Sequence, residues 1–448
     1  MSDYLFNEFQ GVSSAEWKQK IQVDLKGSDY NETLLWKTTE SITVRPFYTK
    51  EDRTNIKVNT PKEGFAICQS IFIDDEKKAN TFAIDSLQRG ASSIQFLAKK
   101  EFDYKALLKG IDTKNTTIYF SLDFLSSEFV KSVSSFINSD KYYFNTDVIG
   151  HLASSGNWYS NLKNDHTQLE EIVNNSKNAI SVNALIYQNA GATITQQLAY
   201  ALAHVNEYLN HFGSSIANNI HFNFSVGSNY FFEIAKLRAF RILWSSLLKE
   251  YNTEATAHIF AEPSRRNKTI YDYNVNMLRT TSECMSAILG GVNTVANNSY
   301  DKIFHQPNEF GERISRNQLL ILQQESELAE AQNIADGAYY IETITQQLAQ
   351  KALEIFKQIE QGGGFLKQLK EGVIQRKIKE SADKEQELFN SGKLVLLGTN
   401  KIKNENDKMK NDLEVSPFLE VRKEKTLIQP IIQKRLAEKL EQERLQDE

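Results

Sequence analysis

A chain of 448 residues with 40% hydrophobic and 24% charged residues is long enough to bury a large core, and its composition is that of an ordinary soluble globular protein. Its 52 Lys and Arg against 57 Asp and Glu give a formal net charge of −5, which argues against a nucleic-acid binder that works by neutralising phosphates. The two cysteines, Cys68 and Cys284, lie far apart in apolar surroundings, so they suggest neither a disulfide framework nor a thiolate metal site and fit a reducing cytoplasm.

The opening MSDYLFNEFQ has no basic region followed by an apolar core, and no run of eighteen apolar residues follows anywhere, so neither export nor a membrane span is expected. Residues 1–60 read as an N-terminal arm, with a helix near Ser13 to Leu25 and a strand-like stretch from Ser41 to Tyr48 around Arg45-Pro46. From about residue 65, β-rich runs alternate with helical ones. The strands expected are Ser93 to Ala98, Thr116 to Leu122, Tyr142 to Val148, Ile180 to Tyr187, His221 to Val226, Ala257 to Ala261 and Val292 to Ala296, with Gly337 to Ile341 the weakest, eighth one. Strands interleaved with helices imply βαβ units and a parallel sheet. Eight of them in roughly 270 residues fit a (β/α)8 TIM barrel, although a doubly wound sheet gives the same alternation.

Within Phe231 to Trp244, spacings of three put Phe231, Ile234, Leu237 and Phe240 on one stripe, leaving Glu233, Lys236 and Arg241 solvated or paired. Gly362-Gly363-Gly364 lacks the following Lys-Ser or Lys-Thr of a phosphate loop and reads as the end of one helix and the start of another. After it the chain turns rich in Lys, Glu and Gln, with a strand-like Lys393 to Leu397, Pro417 and Pro430 as punctuation, and an amphipathic Ile431 to Leu445. Residues 61–401 are therefore expected to form the barrel. Residues 402–448 form a helical C-terminal extension docked on it or on a partner.

The segment Leu185 to Thr193, Leu-Ile-Tyr-Gln-Asn-Ala-Gly-Ala-Thr, resembles the Tyr-His-Ile-Gln-Glu-Ala-Gly-Ala-Thr of the adenosylcobalamin-dependent acyl-CoA mutases. Phe231 to Trp244, FFEIAKLRAFRILW, is similar to that family's FMEVAKLRAARLLW. Leu278 to Asn298, Phe310 to Glu325, Gly337 to Glu342 and Gly362 to Lys401 continue the likeness. The resemblance decides for the barrel. It also implies what is missing, because the substrate-facing histidine of the family falls on Ile186, an aliphatic side chain that donates no hydrogen bond to a thioester carbonyl.

By the same resemblance, the family's tyrosine seven positions after Arg45 falls on Asp52, its strand-three arginine on Ser155, and its strand-six histidine and glutamine on Phe260 and Glu262. The site is thus expected to be degenerate at Ile186, Ser155, Asp52, Phe260 and Glu262, with no catalytic, cofactor-binding or metal-binding residue. Catalytic chains carry Ser-Ile-Ser-Ile-Ser-Gly on strand four, whereas Ile180 to Tyr187 brings larger groups, which predicts a more filled interior. No Asp-x-His-x-x-Gly occurs, and Asp147-Val-Ile-Gly-His151 has the residue types at the wrong spacing. No cobalamin-binding domain is expected, and His151 reads as a polar loop residue. His204 and His211 share a helix face but lack carboxylate or cysteine partners at ligand spacing, so both read as solvated or interface residues. Arg313 and Arg316 pair with Glu312 and neighbours rather than gripping an anion.

The resemblance is strongest to small, non-catalytic mutase subunits, shown by Ser13 to Gly27 and Ala83 to Phe96. It implies a heterodimer with a large subunit that carries adenosylcobalamin and, as a complex, interconverts succinyl-CoA and (R)-methylmalonyl-CoA. Two alternatives stay open: an active mutase barrel using a separate cobalamin-binding subunit, and a non-catalytic acyl-CoA or partner-binding protein.

Overall fold

Strict alternation along each strand sets the architecture. In Ile220–Val226, Phe222 and Phe224 point outward onto Phe240 and Trp244 of the helix Tyr230–Glu250, with ring centroids 4.6 to 5.1 Å apart. His221, Asn223 and Ser225 point the other way, into the sheet's concave interior. The computed structural model describes residues 6, 8–53, 57–330, 333–419 and 424–448.

Eight such strands occur: β1 (Ala66–Phe72), β2 (Ser93–Ala98), β3 (Thr117–Leu122), β4 (Tyr142–Phe144), β5 (Ile180–Asn183), β6 (Ile220–Val226), β7 (His258–Pro263) and β8 (Thr294–Ala296). Each pairs in parallel with its sequence neighbour except across β4 and β5, and β8 returns to pair with β1. Between β4 and β5 the wall is joined by Phe144 N donating to Asn178 O at 3.0 Å and Ser181 N donating to Thr146 O at 2.9 Å. The result is a (β/α)8 TIM barrel wrapped by helices.

Four expectations about the elements need correcting, the first being the strand expected over Tyr142 to Val148, which ends at Phe144 because Asp147 caps the helix Val148–Ser155. The eighth strand is Ala66–Phe72, not Gly337 to Ile341. Gly337, with φ +81°, makes the turn into the helix Tyr339–Gln361, which begins with Gly337 N donating to Glu342 Oε1 at 2.8 Å. The strand expected over Ile180 to Tyr187 stops at Asn183, whose amide is taken by Asp147 Oδ2 at 2.7 Å. Ile186 therefore stands on the short helix Leu185–Asn189. Lys393 to Leu397 forms no strand, only an isolated bridge between Leu397 and Lys401. The glycine triplet does separate two helices, Tyr339–Gln361 and Phe365–Lys370.

The expected arm takes in residues 1–5, 7 and 54–56, which lie outside the described residues. Within it, the helix Ser14–Asp24 is closed by a capping box between Ser13 and Glu16 and buries none of its residues, while Thr43–Val44 pairs antiparallel with Trp36–Lys37. Glu40 ties this arm to the barrel by accepting from Ile194 N and Thr195 N at 2.8 Å each, at the N-terminus of the helix Ile194–Phe212, where a carboxylate is favoured.

The extension, apart from residues 420–423, straps across the C-terminal ends of the strands. Leu427 N and Ile428 N donate to Gly156 O, Ile431 N to Ala153 O, Lys434 N to Asn189 O and Leu436 N to Arg266 O. It ends in the helix Glu438–Asp447, shorter than the amphipathic stretch Ile431 to Leu445, with Arg435 and Glu441 paired at 2.6 Å beneath it.

Candidate functional site

Beneath the strap, at the C-terminal mouth of the barrel, lies a cavity of about 320 Å3. Inward-facing residues near the strand ends give it a polar wall. Ser70 donates to Gln95 at 2.7 Å, Gln95 to Ser121 at 3.0 Å and Asn145 to Ser121 at 2.7 Å, while Asn145 Oδ1 meets His221 Nε2 at 2.7 Å and Asn223 Nδ2 at 3.2 Å. This chain of hydrogen bonds runs through residues of β1, β2, β3 and β6 and the residue that follows β4, stitching the strands together.

Deeper along the axis the interior is filled by rings. The Tyr119 hydroxyl meets His258 Nε2 at 2.8 Å and Thr294 Oγ1 at 2.7 Å, Tyr143 stacks on His258 at 4.1 Å, and Phe260 stands edge-on to Tyr119 at 4.9 Å. The larger groups come from β3, β4 and β7. On β5 the inward residues are Ser181 and Asn183, with Ile180 and Val182 facing the helices, so the bulk expected from the Ile180 to Tyr187 strand is not found on it. Burial pushes the Tyr119 hydroxyl pKa well up and holds that of the His221 imidazole down at about 3, so both groups are neutral.

Of the positions singled out from the sequence, Ile186, Phe260 and Glu262 line the cavity. Ser155 lies outside its lining and turns its hydroxyl to His151 O and Asn157 O, closing the helix Val148–Ser155. Asp52 lies in the arm, ion-paired with Arg45 and accepting from Thr49 N at 2.8 Å. The structure therefore brings together three of the five positions.

Two histidines differ from expectation. His204 is fully buried rather than solvated: its Nε2 meets Asp147 Oδ1 at 2.9 Å and its Nδ1 meets the Tyr187 hydroxyl at 2.9 Å. His151 is on a helix rather than a loop, lines the cavity and stacks on Tyr159 at 3.6 Å. Glu233, Lys236 and Arg241, expected to be solvated or paired, are buried and paired, Lys236 by Glu233, Gln188, Gln197 and Ser225 O, and Arg241 by the carbonyls of Ala257 and Gly291. Arg313 pairs with Glu309, and Arg316 donates to Gln69 at 2.9 Å. The Asp147 cluster was missed because its members come from three separate segments, Asp147 before the helix Val148–Ser155, Tyr187 on Leu185–Asn189, and His204 and Tyr208 on Ile194–Phe212. The one readable signal was a histidine on an otherwise apolar helix face.

These residues do not fit cobalamin. Burial works to raise the Asp147 carboxyl pKa, but His204, Tyr208 and the Asn183 amide outweigh it and hold that pKa low, and the carboxylate is consumed in that network. His204, the histidine it orients, has no exposed edge to offer a metal. Among the described residues, no group of three His, Cys, Asp or Glu side chains is placed to hold a metal ion. Cys68 and Cys284 are free and buried, with burial pushing the Cys68 thiol up to about 12. Among the described residues no helix is long and apolar enough to cross a membrane.

Fold and site together define a (β/α)8 barrel with a polar cavity at its C-terminal mouth, lined by Ile186 and closed below by aromatic rings. The family model described as methylmalonyl-CoA mutase matches residues 143–446, running through the extension well past residue 401, and the chain belongs to that family. It is 34% identical over 441 residues to the methylmalonyl-CoA mutase small subunit of Porphyromonas gingivalis, a match covering 89% of this chain and 71% of that one. Its similarity to the methylmalonyl-CoA mutase of Rhizobium meliloti is 34% over 249 residues, covering 53% of this chain and 35% of the other. To the large subunit of Propionibacterium freudenreichii subsp. shermanii it is 33% over 241 residues, covering 51% and 33%. The chain thus spans about a third of the length of the latter two.

Proposed function

We propose that this chain is the small, non-catalytic subunit of a heterodimeric methylmalonyl-CoA mutase, stabilising a large subunit that holds adenosylcobalamin and interconverts succinyl-CoA and (R)-methylmalonyl-CoA. The observation that carries the reading is Ile186, 2% exposed against the cavity where the family places a hydrogen-bonding histidine. A hydrogen-bond donor aimed at developing charge is worth about 100- to 1000-fold in rate, and the aliphatic side chain of isoleucine supplies none of it. Two further features support it. The rings of Tyr119, Tyr143, His258 and Phe260 fill the axis along which a pantetheine arm would thread. The arm helix Ser14–Asp24 has no buried residue and leaves Trp17 and Val23 exposed, as a segment made to lie on a partner would. Buried, unpaired cysteines fit a cytoplasmic setting.

The test is reconstitution. The purified chain with adenosylcobalamin and methylmalonyl-CoA should give no turnover, and should gain it only when a large subunit is added and co-elutes with it. Turnover by the chain alone, after removal of trace partner, would overturn the proposal.

A further inference from the structure

The cavity beneath the strap is walled by polar atoms that no protein group satisfies. Ser181 Oγ, Asn183 Oδ1 and Asn223 Oδ1 have no hydrogen-bond partner among the described residues, and Ser181 and Asn223 are 0% and 3% exposed. A buried carbonyl oxygen left without a donor is costly, so two amide oxygens facing one space call for a guest rich in O–H or N–H groups. The outer side of the same cavity has the opposite character. Arg265 and Lys302 line both it and an adjoining hollow of about 410 Å3 whose wall adds Lys434 and Arg435. Burial disfavours the charge on Lys302 and the nearby Glu262 carboxylate works against that, while Lys302 Nζ donates to Asn298 Oδ1 at 2.5 Å; no carboxylate is paired with the Arg265 side chain among the described residues.

We propose that this mouth is a binding site for a small hydroxylated anion, its hydroxyls donating to Asn183 and Asn223 and its anionic group held by Arg265 and Lys302. The guest is small because the rings of Tyr119, Tyr143 and Phe260 close the axis below. The strap forms part of its enclosure, since Gln433 lines both spaces and Lys434 N is fixed to Asn189 O at 3.1 Å. A phosphate ester and a hydroxycarboxylate share this chemistry. The site does not depend on the subunit role, because neither turnover nor a partner chain enters it.

The full chain is titrated calorimetrically with glycerol 3-phosphate and with malate, and with glycerol and inorganic phosphate as probes of each half alone. One of the first two should bind at least about tenfold more tightly than either half-probe, and which one does so decides between the two anion sources. Arg265→Glu should weaken that binding by about tenfold or more. Ser181→Ala, which removes a hydroxyl with no partner in the fold, should weaken it about fivefold. Thermal melts of both variants, which alter no internal ion pair, check that they remain folded. No binding of either complete probe below about 10 mM, equal binding of half-probes, or affinity unchanged in both variants would overturn the proposal.

Discussion

Lys236 Nζ lies 2.9 Å from Gln188 Oε1, and this pair gives the glutamine of the segment Leu185 to Thr193 a structural task. Gln188 also donates to Glu233 at 3.0 Å, so its amide hydrogen-bonds both ends of a buried ion pair. Neighbouring positions of the same segment have comparable structural tasks. Gly191 adopts φ +95° where a Cβ would stand 2.6 Å from Ala382 Cβ and 2.8 Å from the Arg266 guanidinium. Thr193 caps the helix Ile194–Phe212 in a capping box with Gln196. Ile186, in contrast, touches only the cavity and the apolar core. The residues shared with the mutases are thus the ones that build the strand end, and the divergent one lines the cavity.

Removing one partner of that buried pair should be severe. Lys236→Met leaves Glu233 charged and uncompensated inside the barrel wall, which costs about 3–5 kcal/mol. Urea unfolding should show that loss, and Lys236→Met combined with Glu233→Gln should recover most of it. Equal stability of the single and double variants would contradict the assignment.

Acid should destabilise the chain through its interior histidines. Burial holds the His221 pKa at about 3 and that of His258 well below the usual range, against an ordinary value near 6.5. Because the unfolded chain takes up those protons first, the stability these groups contribute is complete above about pH 6.5 and declines as the pH falls toward 3. Between pH 6.5 and 5 the loss is on the order of 2 kcal/mol per histidine. His221→Gln should therefore flatten the stability-against-pH curve below pH 6.5, measured by urea unfolding at a series of pH values.

Seven of the eight barrel strands were legible in the sequence because inward polar and outward apolar residues alternate, as in Ile220–Val226. Ala66–Phe72 was overlooked as a strand because it follows the arm without a preceding helix, so the βα rhythm that flags the others is absent there. The helix at Leu185–Asn189 was hidden for a different reason: Ile186 and Tyr187 have strand propensity, and only the capture of the Asn183 amide by Asp147, thirty-six residues away, ends the strand. The strap across the mouth was beyond reach of any local pattern. Its registration depends on backbone carbonyls of Ala153, Gly156, Asn189 and Arg266, which carry no side-chain signature.

Gly156 is the place to test that strap. It has φ +81° and its carbonyl accepts from Leu427 N and Ile428 N, while an added Cβ would sit 2.7 Å from Ile428 O and 2.8 Å from Thr426 Cβ. Gly156→Ala combines left-handed strain with that clash, for a loss of about 1–3 kcal/mol. Hydrogen exchange should accelerate at Leu427 and Ile428 before it changes in the barrel strands. Unaltered exchange at those two amides would mean that the strap is not anchored there.

The last prediction concerns what a single restored side chain achieves. Ile186→His returns a donor to the mouth, and if lost hydrogen bonding were the sole defect it should recover measurable mutase activity. The structure argues that it will not. The axis below is occupied by Tyr119, Tyr143, His258 and Phe260, and the strap, fixed by Lys434 on Asn189, crosses above. Phe260 and Glu262 also stand where the resemblance places other substrate contacts, and groups that act as a unit are not rescued one at a time. With a cobalamin-domain protein supplied, Ile186→His should form neither succinyl-CoA nor a radical detectable by electron paramagnetic resonance. Either signal above the Ile186 control would show that the remaining mouth is competent and that the barrel is active with a borrowed cobalamin subunit.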